Sequence, residues 1–167
     1  ADRAGRVPGR IQLAQSTGPL IKVTRSAVID APIERVWAVL RDFNGLPQWH
    51  PMIRDSRIED DQPADRVGCV RNFHTQAGAL IREQLLALSD HRHSMVYSIL
   101  ESDMGVTDYV ATMTLHAVTD GNGCFAQWSA EFNCAAEREQ ELQQTIGHDV
   151  FCVGLRALGS RAAHAPA

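Results

Sequence analysis

The chain has 167 residues, which fits one domain with a sizeable core and is too short for two. Hydrophobic residues make up 44%, and the formal net charge of −4 offers no basic stripe for a nucleic-acid backbone. No apolar run reaches the length that crosses a bilayer, so membrane insertion is not expected.

Residues 1–19 are rich in Arg, Gly and Ala, lack any period and read as an N-terminal tail. Residues 20–163 read as the folded domain. From Ile21 to Ile29 the chain alternates, with Val23, Arg25, Ala27 and Ile29 on one side, which predicts a strand. Pro32 then opens a helix at a first-turn position, and Glu34 complements its dipole. Ile33, Val36, Trp37, Leu40 and Phe43 fall at helical spacing, and Asn44-Gly45 ends the run. Leu46 to His50 forms a second short helical turn, stopped by Pro51.

Strands follow at Ile53–Glu59, Gly68–Gln76, Ala79–Ser89, Ser94–Glu101, Val106–Val118 and Cys124–Cys134. They are separated by turn signals such as Ala77-Gly78, Met104-Gly105 and Asp120-Gly121-Asn122-Gly123. Consecutive strands on short turns make an antiparallel meander. A final helix runs from about Glu137 to Ala162, and it alone is long enough to cover one face of the sheet. The fold class expected is α+β: a seven-stranded antiparallel sheet wrapped round a long C-terminal helix, with two short helices after the first strand.

Two features predict a cavity between sheet and last helix. The inward sets of the last two strands are Tyr109, Ala111, Met113, Leu115 and Ala126, Trp128, Ala130, Phe132. Aromatics beside alanines suit an amphipathic pocket wall better than a filled core. On the helix, Gly147 and Gly154 sit within a broad apolar face that includes Phe151 and Leu155. Each mid-helix glycine costs about 1 kcal/mol relative to alanine. Such residues serve either close helix–sheet packing or room for a ligand. The cavity reading places Tyr97, Tyr109, Trp128, Phe151, Gly154 and Leu155 around the void.

Val36-Trp37 through Phe43, then Trp49-His50-Pro51, resembles the opening of the START-like, polyketide cyclase/dehydrase superfamily, also called SRPBCC. Val67-Gly68-Cys69-Val70-Arg71, Ile81-Arg82-Glu83-Gln84-Leu85, Ser89-Asp90, Tyr97-Ser98-Ile99, Asp108-Tyr109 and Trp128-Ser129 continue the resemblance in order. It covers about Ile21 to Ala162 and implies the helix-grip fold. Within that superfamily the pocket is similar to that of the plant abscisic-acid receptors. The resemblance puts His50 where those receptors hold a lysine against the ligand carboxylate, and Glu83, Tyr97 and Tyr109 at pocket-lining positions. Thr75 to Ala79 resembles their mobile gate loop and Ser89 to His93 their latch, but the gate lacks their Ser-Gly-Leu-Pro pattern. That departure argues against hormone-type gating.

Glu83 lies between Ile81 and Leu85, which share its strand parity, so an inward face would hold its carboxyl in apolar surroundings and push its pKa up. His50 titrates near neutrality and is a candidate to face it. Arg71, with Phe73 and Thr75, is a candidate partner for Glu83 or for a ligand anion. Tyr109 is a candidate donor to a ligand carbonyl. Glu83, His50 and Tyr109 are thus the candidate catalytic groups, for enolisation, cyclisation or dehydration without a cofactor. The alternative is that all three anchor a ligand without chemistry.

No metal site is expected. His148 and Cys152 are four apart but have no third ligand in view. Cys69, Cys124, Cys134 and Cys152 fit no zinc spacing and read as free thiols, which suits a reducing cytoplasm. Three functions remain: a carrier or binding protein for a small hydrophobic or aromatic molecule, a cyclase or dehydratase, and a protein-interaction module of the same fold. A monomer or homodimer suits each.

Overall fold

The computed structural model describes residues 20–164. The elements come in the order β1 (Ile21–Ile29), α1 (Ile33–Leu40), α2 (Leu46–Trp49), β2 (Ile53–Ile58), β3 (Val70–Thr75), β4 (Leu80–Ser89), β5 (Ser94–Glu101), β6 (Val106–Val118) and β7 (Gly123–Cys134). A short 3₁₀ turn at Ala136–Arg138 leads into the C-terminal helix, residues 139–163. The fold is the helix grip that the element order predicts. All seven strands form one antiparallel sheet in the order β1-β7-β6-β5-β4-β3-β2. The chain meanders from β2 to β7, and β1 then pairs with β7, with Ile21 opposite Phe132 and Ile29 opposite Cys124.

Period-two patterning decides which face is buried. In β6, Tyr109, Ala111, Met113 and Leu115 are buried, and in β7, Ala126, Trp128, Ala130 and Phe132 are. Both sets face the C-terminal helix, whose Leu142, Ile146, Phe151, Leu155 and Leu158 are buried in turn. Irregularities in the ladder curve the sheet round that helix. The β4–β5 register shifts at two points, and β6 carries an extra residue against β7 between Thr107 and Val110. Asp108 takes a left-handed φ of 51° inside that bulge, immediately before Tyr109. The bulge keeps Tyr109 on the inner face, where its ring stacks on Phe132 at 5.8 Å between centroids.

Helix α1 closes one end of the core with Ile33, Val36, Trp37 and Leu40. The Trp37 indole Nε1 donates to Asp90 at 2.8 Å, and the Arg41 guanidinium pairs with the same carboxylate, so the turn after β4 is tied to α1. Those hydrogen bonds hold the Asp90 carboxyl below its ordinary pKa.

The C-terminal helix is not one continuous α-helix. Between Glu139–Gln144 and Val153–Ala163 lies a π-helical stretch, Thr145–Cys152, in which the Val153 N–H reaches back to the His148 carbonyl. Apolar periodicity predicts a helix there but carries no signal for the wider winding.

Candidate functional site

A cavity of about 220 Å³ lies between the concave face of the sheet and the π-helical stretch. Its deep wall is built from buried side chains: His50 after α2, Phe73 on β3, Glu83 on β4, Tyr97 on β5, Tyr109 on β6 and Trp128 on β7. Ile146 and Val150 face it from the helix. More exposed residues form the mouth, with Met52, Thr75 and Ala79 on one side, Asp103 and Met104 on the other, and Thr145 above.

Glu83 sits on the inner face because Ile81 and Leu85, two residues to either side, are both buried there. Its Oε2 accepts from Arg71 Nε at 2.7 Å and lies 2.6 Å from Nη2. Arg71 is opposite Glu83 in the β3–β4 ladder. The third guanidinium nitrogen, Nη1, donates to the Phe43 carbonyl at 2.9 Å. The guanidinium lies 4.1 Å from the Phe43 ring centroid and 4.9 Å from that of Tyr97, so its faces are covered as well. Burial pushes the Glu83 carboxyl above its ordinary pKa, and Arg71 opposes that shift. Protonating Glu83 would leave a guanidinium buried without a counter-charge, so the pair is ionic at neutral pH.

His50 is buried with both ring nitrogens occupied by backbone. Nε2 lies 2.9 Å from the Val150 carbonyl, and Nδ1 accepts from the Met52 N–H at 3.2 Å. That pattern requires a neutral ring with its proton on Nε2. Burial, the largest effect, and the Arg71 charge both hold its pKa below the ordinary histidine value. The Val150 carbonyl that fixes the ring belongs to the π-helical stretch, so the unusual winding and the histidine are parts of one arrangement.

Two phenols complete the polar wall. The Trp128 indole Nε1 donates to the Tyr97 hydroxyl at 3.0 Å. Burial pushes the Tyr97 and Tyr109 phenols well above their ordinary pKa, so both stay protonated and neutral.

Of the residues predicted for ligand contact, His50, Phe73, Glu83, Tyr97, Tyr109 and Trp128 stand on the cavity wall. Arg71, Phe151, Gly154 and Leu155 do not. Arg71 is consumed by Glu83 and Phe43. Phe151 stacks on Trp128 at 4.5 Å, and Leu155 is buried in the core. Gly154 admits no ligand, since a Cβ there would lie 2.7 Å from Trp128 Cζ3 and 2.8 Å from His50 Cδ2. Gly147 likewise lies against the Arg25 guanidinium. Both helix glycines therefore serve close approach, and the expectation that Gly154 opens the pocket is corrected.

The wall also contains residues that sequence reasoning did not place in the pocket, among them Met52, Ile99, Met104, Thr145 and Ile146. Strand parity with Tyr97 was the available signal for Ile99. The turn residues carried none, because turn side chains have no fixed face. Thr75 to Ala79 forms a tight turn at the mouth, closed by Gly78 N–H to the Thr75 carbonyl and Ala79 N–H to Thr75 Oγ1. Among the described residues no cluster of His, Cys, Asp and Glu could hold a metal ion, and the cysteines are unbridged. Among the described residues no helix is long and apolar enough to cross a membrane.

A curved sheet gripping a helix over an internal cavity with an apolar wall and a few polar groups defines a helix-grip protein of the ligand-binding type. The family model for polyketide cyclase / dehydrase and lipid transport matches residues 21–162, and the chain belongs to that family. Two abscisic acid receptors of Arabidopsis thaliana are similar in sequence. One is 27% identical over 105 residues, 61% of this chain and 46% of the receptor; the other is 31% identical over 91 residues, 53% of this chain and 41% of the receptor. The chain thus matches less than half the length of these curated relatives. The Bacillus cereus protein XoxI superposes with a TM-score of 0.76 at 28% identity, over 86% of this chain and 96% of that one. Norcoclaurine synthase of Thalictrum flavum, in complex with dopamine and hydroxybenzaldehyde, superposes with a TM-score of 0.75 over 99% of each chain. At 16% identity that likeness concerns the fold alone.

Proposed function

We propose that the protein binds a small hydrophobic or aromatic molecule in the cavity, as a carrier or binding protein. One observation carries the reading: an apolar cavity of about 220 Å³ ends on a carboxylate, Glu83, that faces the void. The volume suits a ligand of one or two rings. The sequence similarity to two abscisic acid receptors supports binding of a small molecule. Native mass spectrometry of the purified protein is the test. A co-purified compound of this size, lost on heating or unfolding, is the expected result. A protein that takes up no ring compound, even at high concentration, would overturn it.

A second reading, a cofactor-independent cyclase or dehydratase, is favoured by the raised pKa of Glu83 at the cavity wall. In that reading Glu83, ionised beside Arg71, acts as the base, with Tyr109 as donor, because both nitrogens of His50 are committed to backbone. Glu83→Gln separates the readings. An enzyme loses about 10²–10⁴-fold in turnover, whereas a carrier loses about 1–2 kcal/mol of affinity on the same compound.

A further inference from the structure

We propose that the cavity selects a neutral ligand carrying a hydroxyl group at its buried end, a phenol or an alcohol, and rejects carboxylates of the same shape. The inference rests on the cavity-binding reading above and concerns what the ligand must present to the deep wall.

Among the described residues the Glu83 carboxylate accepts its hydrogen bond from Arg71 on Oε2, which is also the oxygen closest to the guanidinium. Among the described residues no fully buried side-chain oxygen or nitrogen lacks a partner. Oε1 has no hydrogen-bond partner among the described residues, so it is not fully buried, and the space that Glu83 borders is the cavity. An acceptor in an apolar cavity calls for a donor on whatever enters. The Tyr97 and Tyr109 phenols stand beside it on the same wall. Tyr97 already accepts from Trp128, which leaves its own O–H to donate. A hydroxyl is the group that satisfies both demands, giving its proton to Glu83 and accepting from a phenol.

The charges explain the exclusion. The nearest cation, Arg71, is off the wall, and all three of its nitrogens are engaged by Glu83 and Phe43. His50 faces the cavity but is neutral and fully bonded. At the mouth Asp103 adds a negative charge, and Arg138 nearby is tied to the Met104 carbonyl and to Glu141. An incoming carboxylate would therefore meet a carboxylate oxygen without a hydrogen-bond donor, in a medium of low dielectric, with no cationic side chain on the wall among the described residues. An ammonium would gain from Glu83 but lie close to the Arg71 guanidinium, which a neutral hydroxyl does not feel.

The test uses four probes of one ring system: 2-naphthol, 2-naphthoate, 2-naphthylmethylammonium and naphthalene, each titrated at pH 7 and followed by calorimetry and by quenching of tryptophan fluorescence. The expected order places 2-naphthol at least about tenfold tighter than each of the others, the equivalent of one hydrogen bond gained. In Glu83→Gln the Arg71 charge is uncompensated, so 2-naphthoate should gain on 2-naphthol and the gap should close. Naphthoate or the ammonium binding the parent protein as tightly as naphthol would overturn the selection. Naphthalene matching naphthol would overturn the hydroxyl requirement while the cavity reading stands. No binding of any probe would overturn both. The parent comparison decides even where the Gln variant does not fold.

Discussion

The two halves of the C-terminal helix meet the same sheet in opposite ways. From Phe151 to Leu158 helix and sheet touch without spare room: Phe151 stacks on Trp128, and Gly154 fits against Trp128 and His50 with no space for a Cβ. From Thr145 to Val150 the helix faces a cavity instead. Each half holds one glycine: Gly154 in the closed half, and in the open half Gly147, which packs against Arg25 and off the cavity, whose wall there is Ile146 and Val150. Local side-chain bulk therefore does not make the void. Close approach at Gly154 fixes the helix at one end, and the strands that wall the cavity at the other, β4 to β6, carry the register shifts that bend the sheet.

That comparison can be broken from either side. The largest effect is expected for Arg71→Met, which leaves the Glu83 charge buried without its partner at the floor of the open half. A loss of about 3–5 kcal/mol in chemical denaturation is expected at neutral pH. Restored stability in the double variant Arg71→Met, Glu83→Gln would confirm that the unpaired charge, not lost packing, is the cause.

Gly154→Leu acts on the closed half. The Cβ alone would press on two rigid buried rings, so a loss of about 1–3 kcal/mol is expected despite leucine's better helix propensity. A thermal melt unchanged from the parent would mean that the halves are not packed differently.

Ile99→Phe fills the open half. Its side chain enters empty volume, so a change in stability within about 1.5 kcal/mol is expected, while 2-naphthol binding is lost. Retained binding would place the ligand outside this cavity.

The smallest effect is expected for Gly147→Ala. The new methyl meets only the end of the flexible Arg25 side chain, which can move aside, and alanine gains up to about 1 kcal/mol of helix propensity. A melt equal to or above the parent is expected; a loss matching that of Gly154→Leu would show that Arg25 is held rigidly.

By itself the sequence determined the order of the elements, the meander, and which faces of β6 and β7 are buried. Those features are local: a period of two residues, a turn signal and a capped apolar run each act over a few positions of chain. Ile81 and Leu85 likewise marked the inner face on which Glu83 lies. The roles of individual groups were not local, and only the tertiary structure decided them. Gly147 and Gly154 look alike in sequence, yet one lies under a flexible guanidinium and the other against two fixed rings. His50 reads as a titrating base until the π-helical turn, one hundred residues further on, brings the Val150 carbonyl to its Nε2. Arg71 reads as a ligand contact until Phe43 and Glu83 engage all three of its guanidinium nitrogens. The cavity itself is what remains once the closed half has packed and the sheet has curved. No single residue encodes it, because a void is set by the distance between two surfaces and not by the composition of either.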